Sequence, residues 1–172
     1  MCSTRGEMIL QHLQNNETFD EIKDRKYFFD KGLRFECSHC GNCCNGDPGI
    51  IIVLDNEIEQ ISDYLALQRE LFIERCLYPY LDGFSIREDD TGRCIFFENG
   101  CSIYPVRPLQ CRTFPFWFTN LRSEMTWKKV LKDCPGTGKG KLYSKEELLE
   151  IIMASFNLYK PFCHALGLND TD

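Results

Sequence analysis

Histidine is scarce in this chain, with three in 172 residues, and tryptophan is scarcer, with two. From so few imidazoles neither a Ser-His-Asp set nor an activated Cys-His pair can be named, so nucleophilic catalysis has little support and no catalytic residue is assigned. No run of roughly 18 apolar residues occurs, so no segment is expected to span a membrane. The start, Met1-Cys2-Ser3-Thr4-Arg5-Gly6-Glu7, lacks the apolar stretch of an export signal. The chain is therefore expected to be cytoplasmic, and Cys2 to be incidental rather than lipidated. Nucleotide motifs are missing as well. Gly136-Thr137-Gly138-Lys139-Gly140 has neither the spacing of a phosphate loop nor a clear strand before it, and reads as a flexible loop. Basic charge is in deficit, with 20 Lys and Arg against 26 Asp and Glu, a net charge of −6. Such a surface does not attract phosphate backbones, so nucleic acid is not an expected partner, although Arg107, Arg112, Arg122, Lys128, Lys129 and Lys132 fall close together.

What the chain has in quantity is cysteine, eleven in all. An odd number argues against a closed set of disulfides, and in a reducing compartment disulfides are rare. Metal or redox chemistry remains, and spacing decides where. Cys37-Ser38-His39-Cys40-Gly41-Asn42-Cys43-Cys44 places four thiols in eight residues, as C-x2-C-x2-C-C. Turns of this length aim backbone N–H groups at sulfur, and C-x2-C-x2-C is how bacterial-type ferredoxins present three ligands to a cluster. Cys94, Cys101, Cys111 and Cys134 follow at strand ends, turns or proline-broken loops, and Cys134 is succeeded by Pro135. Together they make eight, the number two four-thiolate sites require. Cys43 and Cys44 are adjacent, so their side chains diverge, which suits two nearby centres or one centre and a thiol directed elsewhere.

Structural zinc usually sits between two C-x2-C knuckles. Here the first half overshoots that pattern, and the downstream gaps of 6, 9 and 22 residues hold no knuckle. An iron–sulfur cluster, of the 4Fe–4S type, is therefore favoured over zinc. Phe96, Phe97, Tyr104, Phe114, Phe116, Trp117 and Phe118 could exclude water from such a centre, although each alone is better read as core. Arg107 and Arg112 are the candidate cofactor-binding cations, placed to hydrogen-bond thiolates or cluster sulfurs. His39, inside the ligand loop, is an alternative ligand or proton donor. Cys76 reads as packed in a helix, Cys2 and Cys163 as terminal, and Asp47 as a turn former.

The expected fold is α+β, a small irregular single domain over residues 17–168 behind a loose arm at 1–16, with short hairpins carrying the metal loops and helices packed on one side. Thr18-Phe19-Asp20-Glu21 carries a capping-box pattern. Tyr27-Phe28-Phe29 and Leu33-Arg34-Phe35 read as a hairpin about Asp30-Lys31-Gly32. A strand is expected at 50–54, helices at 56–66 (capped by Asp55) and 68–77, and hairpin strands at 84–87 and 94–97. Ser144-Lys145-Glu146-Glu147 opens a final helix to about Tyr159.

These residues carry a resemblance. Lys31 to Cys44, Gly46-Asp47-Pro48-Gly49, Cys94-Ile95-Phe96-Phe97, Cys101-Ser102-Ile103-Tyr104, Arg107-Pro108, Pro115 and Cys134-Pro135-Gly136 resemble the YkgJ-type cysteine-cluster family. That likeness spans residues 27–136. It implies a zinc- or iron-chelating domain, often labelled as containing an iron–sulfur cluster. Three functions follow as expectations: an iron–sulfur redox or accessory protein with a redox partner, a structural zinc module binding a protein partner, or a metal-handling protein.

Overall fold

The computed structural model describes residues 22–45 and 49–165, with side chains through residue 158. The N-terminal arm, the Thr18–Glu21 cap, Asp47 and Cys2 lie outside the residues so described, as does the side chain of Cys163. Backbone packing divides the chain into two compact units, one formed by residues 1–38 with 113–172 and the other by residues 39–112. The mixture of short antiparallel sheets and helices is α+β, as expected.

In the first unit, β1 (Leu33–Phe35) pairs antiparallel with β5 (Lys141–Tyr143), Leu33 opposite Tyr143 and Phe35 opposite Lys141. The expected hairpin between 27–29 and 33–35 does not form. Gly32 N–H donates to the Phe29 carbonyl (2.8 Å) and Asp30 N–H to the Tyr27 carbonyl, while the Asp30 carboxylate takes the Tyr27 N–H. These turns use the backbone groups that a strand would offer to a ladder. Phe29 is thereby released into the core, stacked on Tyr27 and packed with Phe116, Leu121, Trp127, Leu148, Leu149 and Ile152.

The rest of that core comes from α4 (Phe118–Leu121), α5 (Glu124–Asp133) and α6 (Lys145–Ala165). Ser123 caps α5 by accepting the Thr126 N–H. Ser144 and Glu147 close the expected capping box at the start of α6: Ser144 N–H donates to Glu147 Oε2 (2.8 Å) and Glu147 N–H to Ser144 Oγ (3.3 Å).

The second unit holds a three-stranded antiparallel sheet in the order β2 (Ile52–Val53), β4 (Gly83–Ile86), β3 (Leu77–Tyr80). Pro79, which has no N–H to give, lies in the outer strand β3. Two helices, α1 (Asp55–Tyr64) and α2 (Arg69–Cys76), supply Ile58, Ile61 and Phe72 to a core completed by Val53, Leu77, Ile86, Phe96 and Ile103. Leu54 rather than Asp55 stands at the N-cap of α1. The expected strand at 94–97 is reduced to single bridges, Glu88 to Cys94 and Phe97 to Cys101. Residues 84–86 pair instead with β2 and β3. A 3₁₀ turn (Tyr104–Val106) and the short α3 (Leu109–Thr113) complete the trace.

Candidate metal centre

The ligand loop turns tightly about one carbonyl. The N–H groups of Cys44 (2.8 Å) and Asn45 (2.9 Å) and the Asn45 side-chain amide (3.0 Å) all donate to the Gly41 oxygen. Gly41 has φ +78°, and a Cβ there would run into the Phe97 ring. Only glycine meets both conditions without strain. Phe97 thus covers the loop, one aromatic of the expected shell whose place is beside the thiols. Phe96 belongs to the core of this unit, and Phe116 and Phe118 to the core of the first unit.

The loop is joined to the downstream cysteines through the backbone. Cys94 N–H donates to the Cys44 carbonyl (2.9 Å), and Asn45 bridges Arg93. Cys101 is returned to the same place by a turn in which Phe97 pairs with Cys101 and Ser102 N–H donates to the Phe96 carbonyl (2.9 Å). Cys111 arrives on α3. Five thiols, Cys43, Cys44, Cys94, Cys101 and Cys111, are thereby close enough to act on one another electrostatically.

Their ionisation reflects that crowding. The Cys43 and Cys44 sulfurs lie 3.8 Å apart, sharing a hydrogen bond. That bond, helped by the charge of Arg107, draws Cys43 down to about 7. Cys44 is pushed up, first as Cys43's partner, then by burial and by the charge of neighbouring thiolates. Burial, followed by the same repulsion, raises Cys111, and burial chiefly raises Cys94. Such a group of sulfurs resists carrying more than one negative charge until a cation joins it. Soft, all-sulfur donors of this kind fit zinc or iron. Among the described residues no three potential ligands stand together as a preformed metal cage. The thiols are gathered but not closed.

The other three candidates are placed differently. Cys40 is exposed in the ligand loop. Cys37 and Cys134 belong to the first unit. There Glu36 N–H donates to the Gly136 carbonyl (3.1 Å) and Gly138 N–H to the Arg34 carbonyl (2.9 Å). Cys37 therefore follows, and Cys134 precedes, one short ladder. Cys134 is buried at the end of α5, and its carbonyl accepts from Thr137 N–H and Oγ1. Gly136 is required at that crossing, because a Cβ would strike the Glu36 carbonyl.

The two arginines part company. Arg107 lies with its guanidinium carbon 3.7 Å from the Tyr104 ring centroid, donates from Nη1 to the Tyr104 carbonyl (2.6 Å), and its charge favours the thiolate forms of Cys43 and Cys111. His39, at φ +55°, packs its ring 4.3 Å from the other partner of that stack, Tyr104. Arg112 instead pairs through Nη2 with Glu57 Oε1 (3.1 Å). Sequence reasoning passed over Glu57 and Gln110, both buried polar side chains that reach the helix carrying Cys111. A carboxylate near the start of a helix and an amide beside a cysteine look ordinary in sequence. Only their burial marks them.

Comparison with known proteins points to metal binding. Residues 36–135 match the CxxCxxCC family, described as a "Putative zinc- or iron-chelating domain". The chain belongs to that family. It is also 29% identical over 101 residues to the uncharacterized protein MJ0661 of Methanocaldococcus jannaschii, a match covering 55% of this chain and 53% of the relative. The match thus takes in about half the length of that relative. No solved structure matches the chain.

Proposed function

From membership of a zinc- or iron-chelating family, we propose that this protein holds an iron–sulfur centre on its cysteines and serves in electron transfer or as an accessory redox protein. One observation carries the reading. Five thiols from three separate stretches of the second unit act on one another beside the Arg107 cation. A tetrahedral zinc site and a 4Fe–4S cluster each take four thiolates, so the preference for the cluster comes from the C-x2-C-x2-C run, the spacing with which ferredoxins present their ligands. Cys43, Cys44, Cys94, Cys101 and Cys111 would supply the thiolates, and Cys37, Cys40 and Cys134 remain further candidate ligands. Arg107 offsets their charge, and Arg112 acts through Glu57. The cluster, when bound, supplies one-electron chemistry. The chain's own part is to hold thiolate charge beside a guanidinium, with Phe97 packed on the ligand loop.

A structural zinc module is the second reading. The second unit has strands of only two to four residues, and thiolate–metal bonds would stabilise so irregular a fold directly. Anaerobic purification with iron, zinc and acid-labile sulfide counted per chain separates the two. Iron and sulfide in similar amounts supports the cluster. Stoichiometric zinc without sulfide replaces it with the structural module.

A further inference from the structure

The helix that carries Cys111 is fixed on both sides of the cysteine by two buried side chains. Glu57, 2% exposed, accepts the Leu109 N–H at Oε1 (2.6 Å) and the Arg112 guanidinium at the same oxygen (3.1 Å). Its Oε2 takes the Leu54 N–H (3.0 Å). Gln110, 3% exposed, donates from Nε2 to the Ile50 carbonyl (2.6 Å) and accepts the Ile52 N–H at Oε1 (2.9 Å). Residues 109, 110 and 112 are thus each tied to the stretch 50–57, and Cys111 is the residue between them.

We infer that Glu57 and Gln110 are positioning residues for the metal centre, setting where the Cys111 sulfur stands among the other four thiols; the inference rests on the thiolate-centre reading above. Two features set this apart from ordinary burial of polar groups. α3 has five residues, too few to hold its own place, since an isolated turn of helix is unstable. In addition, Glu57 Oε1 is spent on the Leu109 N–H and the Arg112 guanidinium, on either side of Cys111, while both polar atoms of Gln110 anchor the neighbouring residue to Ile50 and Ile52. A buried carboxylate or amide is costly unless satisfied, and here all the contacts but that of Leu54 constrain the same short helix. Groups that orient a metal ligand are commonly worth about 10- to 100-fold in metal affinity.

The test uses the full chain, stripped of metal under reducing conditions and titrated anaerobically with Co(II) alone. Thiolate-to-cobalt charge-transfer absorbance reports how many sulfurs bind. Glu57→Ala and Gln110→Ala are expected to weaken cobalt binding about tenfold or more and to lower the charge-transfer intensity by roughly one thiolate's share. Glu57→Gln, which keeps one acceptor oxygen, falls between them and the unaltered chain. Ser62→Ala removes a buried hydroxyl contact to the Glu59 carbonyl elsewhere in the same unit and is expected to leave the band unchanged. Far-UV circular dichroism of each metal-free variant identifies any that fails to fold, and the remaining variants then decide. Variants that fold, bind cobalt as tightly as the unaltered chain and give its full band overturn the positioning role. So does a Ser62→Ala band that falls equally. If the unaltered chain takes up no cobalt, and as purified carries neither zinc nor iron, the metal reading itself fails and this inference fails with it.

Discussion

The backbone N–H of Cys94 donates to the carbonyl oxygen of Cys44 at 2.9 Å. This one bond joins the compact C-x2-C-x2-C-C run to the dispersed cysteines downstream, across a whole sheet and two helices of intervening chain. It fixes the relation of two candidate ligands by main chain rather than by metal. The backbone thus brings these two cysteines together as the unit folds.

Removing a thiol of the gathered group should cost metal and, with it, stability. Cys94→Ser and Cys111→Ser are each expected to lower bound metal per chain and the metal-dependent rise in melting temperature, because metal-binding energy is folding energy in such domains. Cys76→Ser serves as the comparison, since Cys76 is half-buried against the core of the second unit. Full occupancy in Cys111→Ser would strike that residue from the ligands.

Gly41 offers a test of the loop alone. Gly41→Ala forces a side chain into a left-handed conformation and against Phe97. A loss of about 1–3 kcal/mol is expected in the metal-free chain, together with weaker metal uptake. Gly138, at φ +77° and with nothing within 4 Å of an added Cβ, separates the two costs, since Gly138→Ala carries only the conformational one. Equal melting temperatures for Gly41→Ala and the unaltered chain would show that Phe97 does not hold the loop.

The thiols should titrate apart. In the metal-free chain Cys43, drawn to about 7, is expected to alkylate with a midpoint near pH 7, and Arg107→Leu should move that midpoint upward. Cys94 and Cys111, raised above the ordinary 9.0, should resist alkylation at that pH. The stability consequences have opposite signs. A lowered thiol contributes stability above pH 9.0 and loses it as pH falls through 7. Raised thiols contribute fully below 9.0 and lose their contribution as pH climbs beyond it. Unfolding of the metal-free chain from pH 8 to 10 should accordingly show a decline that the Cys94→Ala, Cys111→Ala double variant reduces. An unchanged slope in that variant would contradict the assignment.

Much of this site was legible in the sequence because thiol spacing is chemistry written locally. The capping box of α6 and the strand at Ile52 likewise announce themselves in a few residues. The partners of those pieces do not. Leu33–Phe35 carries strand chemistry, but its mate lies at Lys141–Tyr143, and the nearby turn at Asp30-Lys31-Gly32 suggested a closer one. The 84–87 and 94–97 segments were joined by a good turn signal, and Asp89 does organise that turn, accepting the N–H groups of Thr91 and Arg93. Beyond the turn, β4 finds longer ladders with β2 and β3. Glu57 and Gln110 were invisible for the same reason: a hydrogen bond across more than 50 residues leaves no periodic trace.

The central claim is that these sulfurs exist to hold metal, and iron–sulfur in particular. It is met most directly by purifying the protein without oxygen, recording its visible spectrum, and counting iron, zinc and sulfide per chain. The account predicts a brown sample with iron and acid-labile sulfide in similar amounts, and loss of both in Cys111→Ser. A colourless sample with stoichiometric zinc would contradict the redox reading, and one with no metal at all would contradict the centre itself.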